Sequence, residues 1–150
     1  MSDELEARLA PIVARERARM EAGATLADVL RRLREDDGLG TIEQFHVLRT
    51  IKVIGFGIAK EIVFDYRDLE LDLDDLALLA SIPKHCKAAW WLPHHLAWAI
   101  IRREPQLLVD ADRRDEVKRA LDEPAWQREI AIERDDGEEL RIRFVRVPPR

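Results

Sequence analysis

The chain has 150 residues and a formal net charge of −5; 47% of its residues are hydrophobic, 37% are charged, and only 6 are glycine and 7 proline. This composition excludes a disordered or fibrous chain, and the length suits one ordinary domain, so we expect residues 1–150 to form a single domain. The acidic balance disfavours attraction to nucleic acid or anionic membranes and would assist encounter with a basic protein.

The N-terminal part has the apolar period of amphipathic helices. The first helical stripe runs from Glu4 to Ala22. We expect Pro11 to split it into a short first turn and a helix that restarts at the proline, because proline is costly inside a helix. Thr25 is placed to cap a second helix, which extends through Arg34.

A third helix is expected to begin at Thr41, which forms a capping box with Gln44. Its inward side is predicted to consist of Ile42, Phe45, Leu48 and Ile51. Gly55 is expected to end this helix, and a fourth helix should run from Gly57 to about Tyr66.

Three more helices are expected further along the chain. Each begins with a proline or an aspartate, whose fixed φ or capping carboxylate favours helix initiation. They cover residues 73–80 after Asp72, the segment from Pro93 to Glu104, and the segment from Asp110 or Asp112 to Leu121. Residues 106–109 are too few to classify.

The last segment alternates apolar and polar residues, which predicts a β-hairpin. The apolar positions are Ile130, Ile132, Leu140, Ile142 and Phe144. A three-residue loop with Gly137 at positive φ would place Ile132 opposite Leu140 and Ile130 opposite Ile142. The predicted fold is therefore α+β, predominantly helical with about six helices and a C-terminal antiparallel β-hairpin.

An isolated hairpin is marginal in water, so its apolar face needs a cover from the helices or from another chain. The arginines at 141, 143 and 146 should point outward and discourage unselective pairing of the open edge, while admitting an acidic or symmetry-related strand. We therefore expect a homodimer or partner contact through the hairpin.

The sulfur and imidazole groups cluster between Lys84 and His95. Cys86 lies there with His85, His94 and His95, but no zinc-ligand spacing is present, and adjacent helical histidines point about 100° apart. No phosphate, dinucleotide, serine-hydrolase or zincin motif occurs, and the acidic run from 65 to 75 lacks the glycine and glutamate of a calcium loop. We expect no catalytic residue, metal or cofactor. A small enzyme or metal protein that uses this cluster is the alternative.

Tryptophan is concentrated at positions 90, 91 and 98. Tryptophan is usually a core residue but is also enriched at interface hot spots. Adjacent residues cannot easily both face inward, so we expect one of Trp90 and Trp91 to be exposed.

The single cysteine excludes an internal disulfide, and the first residues lack the cationic and apolar regions of a secretory signal. The longest apolar stretch, 88–101, is shorter than the about 20 residues of a membrane span. A cytoplasmic location without membrane association is expected.

The segment 45–63 resembles the helix-turn-helix of the C-terminal domain of the bacterial ribosomal stalk protein. The matching positions are Arg49, Gly55, Phe56, Ala59, Lys60, Glu61, Ile62 and Val63. In that family the helix pair docks partner proteins, so the resemblance implies a partner-binding surface that includes Phe45, Arg49 and Lys60. His46 stands where the family has a lysine, which makes the surface less positive.

The Gly55-Phe56-Gly57 turn is also similar to that of a helix-hairpin-helix, which binds DNA phosphate through backbone amides. That family has an alanine four residues after the second glycine, whereas Ala59 follows Gly57 by two. Because the net charge is also negative, nucleic-acid binding ranks below protein binding.

The sequence thus predicts a non-catalytic bacterial protein-binding module, an adaptor or an inhibitor such as a toxin-neutralising immunity protein. The expected partner-binding residues are Phe45, Arg49, Lys60, Trp90 and Trp91.

Overall fold

The computed structural model describes residues 3–52, 56–65 and 68–148. The chain divides into two compact units, Met1–Ala80 and Ser81–Arg150. The described residues form eight α-helices, one short 3-10 turn and three strands. The predicted class, mainly helical α+β with a C-terminal antiparallel hairpin, is confirmed. The single domain stays a prediction.

The described residues of the first unit form five helices around an aliphatic core. The helices are α1 (Asp3–Glu21), α2 (Leu26–Glu35), α3 (Thr41–Ile51), α4 (Phe56–Asp65) and α5 (Leu73–Ala80). The largest fully buried side chains of this unit are Leu9, Leu26, Leu30, Leu33, Leu48, Ile62, Leu71, Leu76 and Leu79.

Helix α1 is continuous, so the predicted break at Pro11 is wrong. Pro11 is exposed, as is Ala7, whose carbonyl loses its helical hydrogen bond to the proline. That carbonyl lies on the solvent side and can bond water. Burial of Leu9 and Val13 on either side of the proline then holds the helix together.

Two predicted caps are confirmed by their hydrogen bonds. The Asp28 amide donates to Thr25 Oγ1 at 3.3 Å at the start of α2. Before α5, the Asp75 amide donates to Asp72 Oδ1 at 2.9 Å, and the Asp72 amide donates to Asp75 Oδ2 at 3.0 Å. Each bond satisfies an amide that the helix itself leaves unpaired.

The start of α3 differs from the predicted capping box. Gly40 is the N-cap, and its amide donates to Glu43 Oε1 at 3.1 Å. Gln44 does not cap but donates from Nε2 to the Leu39 carbonyl at 2.9 Å. Glycine has no side chain to complete a capping box, so the bond from Gly40 to Glu43 is one-sided; the Glu43 carboxylate also interacts favourably with the helix dipole. The expected helix ends at Gly55 and Tyr66 lie outside the described residues.

The buried side of α3 is also rotated from the predicted one. Ile42 is 72% exposed and Phe45 is half-buried. Only Leu48 and Ile51 of the four predicted inward residues are buried, while the other buried positions are Gln44, His46 and Val47.

One carboxylate, that of Glu16 on α1, is fully buried. Arg15 Nη2 lies 2.8 Å and Arg32 Nε 3.4 Å from Glu16 Oε1, and Arg19 Nε lies 3.5 Å from Oε2. Arg32 belongs to α2, so this cluster ties the two helices together. A buried carboxylate without such partners would be strongly unfavourable.

The second unit contains α6 (Leu92–Arg102), β1 (Gln106–Val109), a 3-10 turn (Ala111–Arg113), α7 (Arg114–Ala120), α8 (Pro124–Gln127), β2 (Ile130–Asp135) and β3 (Leu140–Phe144). The short α8 was not predicted. The strands form an antiparallel sheet in the order β1-β3-β2. The segment left unclassified by the sequence is therefore an edge strand, with Gln106 opposite Arg143 and Val109 opposite Leu140.

The predicted hairpin register is wrong by two residues. Ile132 lies opposite Ile142, and Ile130 lies opposite Phe144. The pairing shifts between Ile132 and Arg134, as in a β-bulge, and the connecting loop has four residues, 136–139. Asp136 Oδ1 accepts from the amides of residues 138 and 139, which stabilises this longer loop. Gly137 has the expected positive φ, at +93°.

Four of the five predicted apolar hairpin residues are buried, and Ile132 is 39% exposed. Arg146 does not point outward as expected. It donates from Nη2 and Nε to the carboxylate of Glu129 at 2.6 and 3.0 Å and from Nη1 to Ser81 Oγ at 2.8 Å. One edge of the hairpin, that of β3, is paired with residues 106–109, the one stretch that the sequence made available for such pairing.

The Glu16 cluster leads to a prediction about stability. Glu16→Gln should lower the free energy of unfolding by about 2 kcal/mol, because the three guanidinium groups lose their shared anion but remain partly exposed to water. Urea denaturation followed by circular dichroism measures the change. Glu21→Gln, at an exposed carboxylate of the same helix, is the control and should change stability by less than about 0.5 kcal/mol. Equal stability of Glu16→Gln and wild type would contradict the assigned role.

Candidate functional site

Helix α3 carries a stripe formed by Ile42, Phe45 and Arg49, which we call the α3 stripe; Ile42 is exposed, and the other two residues are half-buried. These residues are spaced by three and four and therefore share one helix face. The Arg49 guanidinium carbon lies 5.9 Å from the centroid of the Phe45 ring, within the range of a cation–π interaction. The predicted residues Phe45 and Arg49 are thus brought together, and Ile42 extends the surface that they form.

Lys60, the third residue implied by the stalk resemblance, is exposed on α4. This helix packs against α3. The turn between the helices cannot be compared with the resemblance, because residues 53–55 lie outside the described part of the chain.

A groove of about 400 Å³ lies between α1 and α3. Its lining residues are Glu6, Ala10, Val13, Ala14, Arg17, His46 and Thr50. The groove is mixed in character, with alanine and valine along α1 and ionisable groups toward both ends. Sequence analysis missed it, although residues 6, 10, 13 and 17 follow the 4-3-4 spacing of a helix-packing seam.

His46 lies beside the α3 stripe, on the side of α3 that faces α1. It is 6% exposed. Within the part of the chain that the structure describes, its imidazole ring makes no hydrogen bond. Thr50, one turn further on, donates from Oγ1 to the His46 carbonyl at 2.8 Å, and its own carbonyl accepts from Arg17 Nη2 at 2.6 Å. These bonds connect α1 to α3 at one end of the groove.

The paired tryptophans have opposite environments, as the sequence suggested that they must. Trp90 is 78% exposed, whereas Trp91 is 4% exposed. Trp91 donates from Nε1 to Glu116 Oε2 at 2.8 Å, and the Arg113 guanidinium carbon lies 5.0 Å from its ring centroid. Trp90 is therefore accessible to a partner, and Trp91 is held in the interior.

The Cys86 region forms a hydrogen-bonded clasp around the Glu123 carboxylate. Glu123 accepts from the amides of Lys87 at 2.9 Å and Ala88 at 3.1 Å and from Cys86 Sγ at 3.3 Å. Trp126 Nε1 donates to the His85 carbonyl at 2.9 Å. These contacts join segments more than thirty residues apart, and no local pattern indicates them.

The chemistry of this clasp is that of a structural group. Burial, reinforced by the neighbouring Glu123 carboxylate, raises the pKa of Cys86 and keeps its thiol protonated, whereas a nucleophilic cysteine needs a lowered pKa. Burial, with His94 and Arg113 nearby, lowers the pKa of His95. In residues 3–52, 56–65 and 68–148, no group of three or more His, Cys, Asp or Glu side chains is arranged to hold a metal ion.

The chain shows no significant similarity to any protein-family model, curated protein or solved structure. Among the helices of the described residues, none combines the length and the apolar character that crossing a membrane requires.

The environments of the tryptophans lead to a paired prediction. Trp91→Ala should lower the free energy of unfolding by about 3–5 kcal/mol through the cavity it leaves, while Trp90→Ala should change it by less than about 0.5 kcal/mol. Denaturation followed by far-ultraviolet circular dichroism compares the two without depending on tryptophan fluorescence. A large loss in Trp90→Ala would contradict its assignment to an accessible surface.

The Glu123 clasp leads to a prediction about pH. The amide of Lys87, then that of Ala88 and the Cys86 thiol, lower the pKa of Glu123 from its ordinary value of 4.5. Because the folded-state pKa is depressed, this stabilisation is complete above pH 4.5 and is lost as the pH falls through the folded-state pKa. Glu123→Gln should therefore cost about 1–2 kcal/mol at neutral pH and progressively less in acid.

Urea denaturation of wild type and Glu123→Gln from neutral pH to about pH 3 measures this difference. Asp122→Asn, at the adjacent exposed carboxylate, is the matched control and should not change the pH dependence. A constant difference between wild type and Glu123→Gln across the range would contradict the clasp.

Proposed function

We propose that this chain is a non-catalytic protein-binding module of bacterial type, acting as an adaptor or as an inhibitor such as a toxin-neutralising immunity protein. The α3 stripe is the observation that carries the proposal. It combines a 72% exposed isoleucine with an aromatic ring and a guanidinium on one face of a helix. Aromatic and arginine side chains are enriched at protein interfaces, and Ile42 extends them with an exposed aliphatic side chain that a partner could cover.

Trp90 in the second unit gives independent support. At 78% exposure its indole contributes little to the core. Tryptophan is among the residues most enriched at interface hot spots, because a partner that covers the ring removes a large apolar area from water. The partner-binding residues that we propose are Ile42, Phe45, Arg49 and Lys60 in the first unit and, separately, Trp90 in the second. Trp91, at 4% exposure, packs inside the second unit and is not available to a partner.

The charge of the chain favours a basic partner. A net charge of −5 speeds encounter with a protein of opposite sign and slows encounter with acidic ones. Association should therefore weaken as the salt concentration rises, in proportion to the contribution of these long-range charges.

The enzyme alternative receives no support from the Cys86 region. The thiol donates to a carboxylate and its pKa is raised, which is the opposite of what nucleophilic catalysis requires. The non-catalytic proposal would be overturned by measurable turnover of a substrate that is lost when Cys86, His85, His94 or His95 is replaced.

The partner-binding proposal is tested by capture with matched variants. Ile42→Glu should abolish recovery of the partner without unfolding the chain, because residue 42 is exposed in the first turn of α3, where a carboxylate favours the helix dipole. Leu108→Glu makes the same change at a 51% exposed position of the second unit and is the control. The captured protein is then purified and titrated calorimetrically against each variant.

The expected result is a dissociation constant raised at least about tenfold by Ile42→Glu and little changed by Leu108→Glu. A partner that binds wild type and Ile42→Glu equally would contradict the α3 stripe as the binding surface. Failure to recover any partner specific to the folded chain would count against the module itself.

A further inference from the structure

We propose that the groove between α1 and α3 is occupied by α1 of a second copy of this chain, in an antiparallel twofold dimer. The proposal concerns a face of the first unit other than the α3 stripe and does not depend on the proposed function. It follows from the order of charges and small residues along α1.

The α1 wall of the groove has the spacing of a helix-packing seam. Residues 6, 10, 13 and 17 recur at intervals of four, three and four and so fall on one side of the helix. Val13 already belongs to the core, while Glu6, Ala10 and Arg17 are exposed. Ala10 and Ala14 have the shortest side chains of the wall, so another helix can approach this wall at the short end of the roughly 8–10 Å range of helix packing.

The two ends of this wall carry opposite charges. Glu6 and Arg17 are three helical turns apart, roughly 16 Å along the axis. In the described part of the chain neither forms an ion pair, and Arg17 makes one hydrogen bond, from Nη2 to the Thr50 carbonyl. A guanidinium has five N–H donors, so Arg17 retains most of its capacity for a carboxylate.

A twofold axis across the middle of this wall makes it complementary to itself. In an antiparallel pair of α1 helices, a residue of one copy lies opposite the residue of the other copy that brings their two numbers to a fixed total. For this axis the total is that of 6 and 17, which is also that of 10 and 13. Glu6 then faces Arg17 of the second copy, and the exposed Ala10 of each copy lies against α1 of the other near Val13, whose own side chain is mostly buried in its core. Symmetry repeats both contacts, which gives two ion pairs at the ends and small apolar contacts between them.

His46 brings a polar side chain of α3 to the groove. The residue is 6% exposed, lines the groove and makes no side-chain hydrogen bond within the described residues. Because the groove is open to solvent, water can bond the ring in the single chain, and a second chain lying in the groove would replace that water with its own polar groups.

The length of the groove favours a helix over a compact ligand. Its volume of about 400 Å³ is distributed along three turns of α1, and it is open to solvent rather than enclosed. Small-molecule sites usually enclose most of the ligand surface. The separated opposite charges match a second α1, which carries the same two charges in reverse order.

The experiment measures the molar mass of the intact chain by light scattering over a dilution series. Wild type should approach twice 17.4 kDa as its concentration rises. Glu6→Arg and Arg17→Glu should each raise the dimer dissociation constant at least about tenfold, since each converts two attractive pairs into two repulsive ones. Glu4→Arg makes the same charge change away from the groove and is the matched control; it should remain dimeric.

Mixing the two single variants is the decisive measurement. In a heterodimer of Glu6→Arg with Arg17→Glu, each position 6 faces a position 17 of opposite sign, so the equimolar mixture should recover the dimer mass. The double variant Glu6→Arg, Arg17→Glu should recover it as well. Circular dichroism melts confirm that each variant is folded. If Arg17→Glu is destabilised by loss of its bond to Thr50, the dilution series of Glu6→Arg against Glu4→Arg tests the contact without it.

Three outcomes would overturn the proposal. A wild-type chain that stays monomeric at every concentration excludes the dimer. A dimer that is insensitive to Glu6→Arg, or equally sensitive to Glu4→Arg, places the contact elsewhere, such as the sheet edge. Folded single variants that are monomeric alone and remain monomeric when mixed exclude the antiparallel pairing.

Discussion

The first unit is organised around a charge that has no access to water. The carboxylate of Glu16 is fully buried, and it is tolerated because Arg15, Arg19 and Arg32 converge on it from α1 and α2. Arg15 and Arg19 belong to α1 itself, so a rotation of α1 against α2 would separate the carboxylate from Arg32 alone, the one partner that lies on α2. The contact with Arg32 therefore favours the orientation in which Glu16 faces α2, while Ala10 and Arg17 line the groove beside α3.

Helix caps could be predicted from the sequence, whereas the side that each helix buries could not. The caps at Thr25 and Asp72 were predicted because the side chain that accepts each hydrogen bond lies three residues from its donor. Pro11 and Ile42 were mispredicted for a different reason. Pro11 is tolerated inside α1 because the carbonyl that it leaves unpaired belongs to the exposed Ala7. Ile42 is exposed because α3 buries the side that carries Gln44, whose side-chain amide donates to the Leu39 carbonyl. Both outcomes depend on helix orientation, which periodicity leaves open.

The sheet and the candidate sites show the same limit. Alternation predicted the strands and the positive φ of Gly137, but the register depends on a bulge after Ile132 and on a loop held by Asp136. Adjacency of two tryptophans implied that one is exposed without indicating which. Selecting Trp91 for burial requires its hydrogen bond to Glu116, which is 25 positions away. Contacts across such separations have no local signature in one sequence.

Helix α3 carries the two surfaces that we propose for association on different sides. The groove uses the side of α3 that carries His46 and Thr50, while the α3 stripe occupies the adjoining side. A second copy lying in the groove would thus leave both stripes exposed, and the dimer would present two equivalent partner-binding faces. Two linked faces raise the apparent affinity for a partner that has two sites, or for one fixed at high local density, without any new contact. The low affinity expected of one half-exposed stripe would then be raised by the presence of two stripes in the dimer.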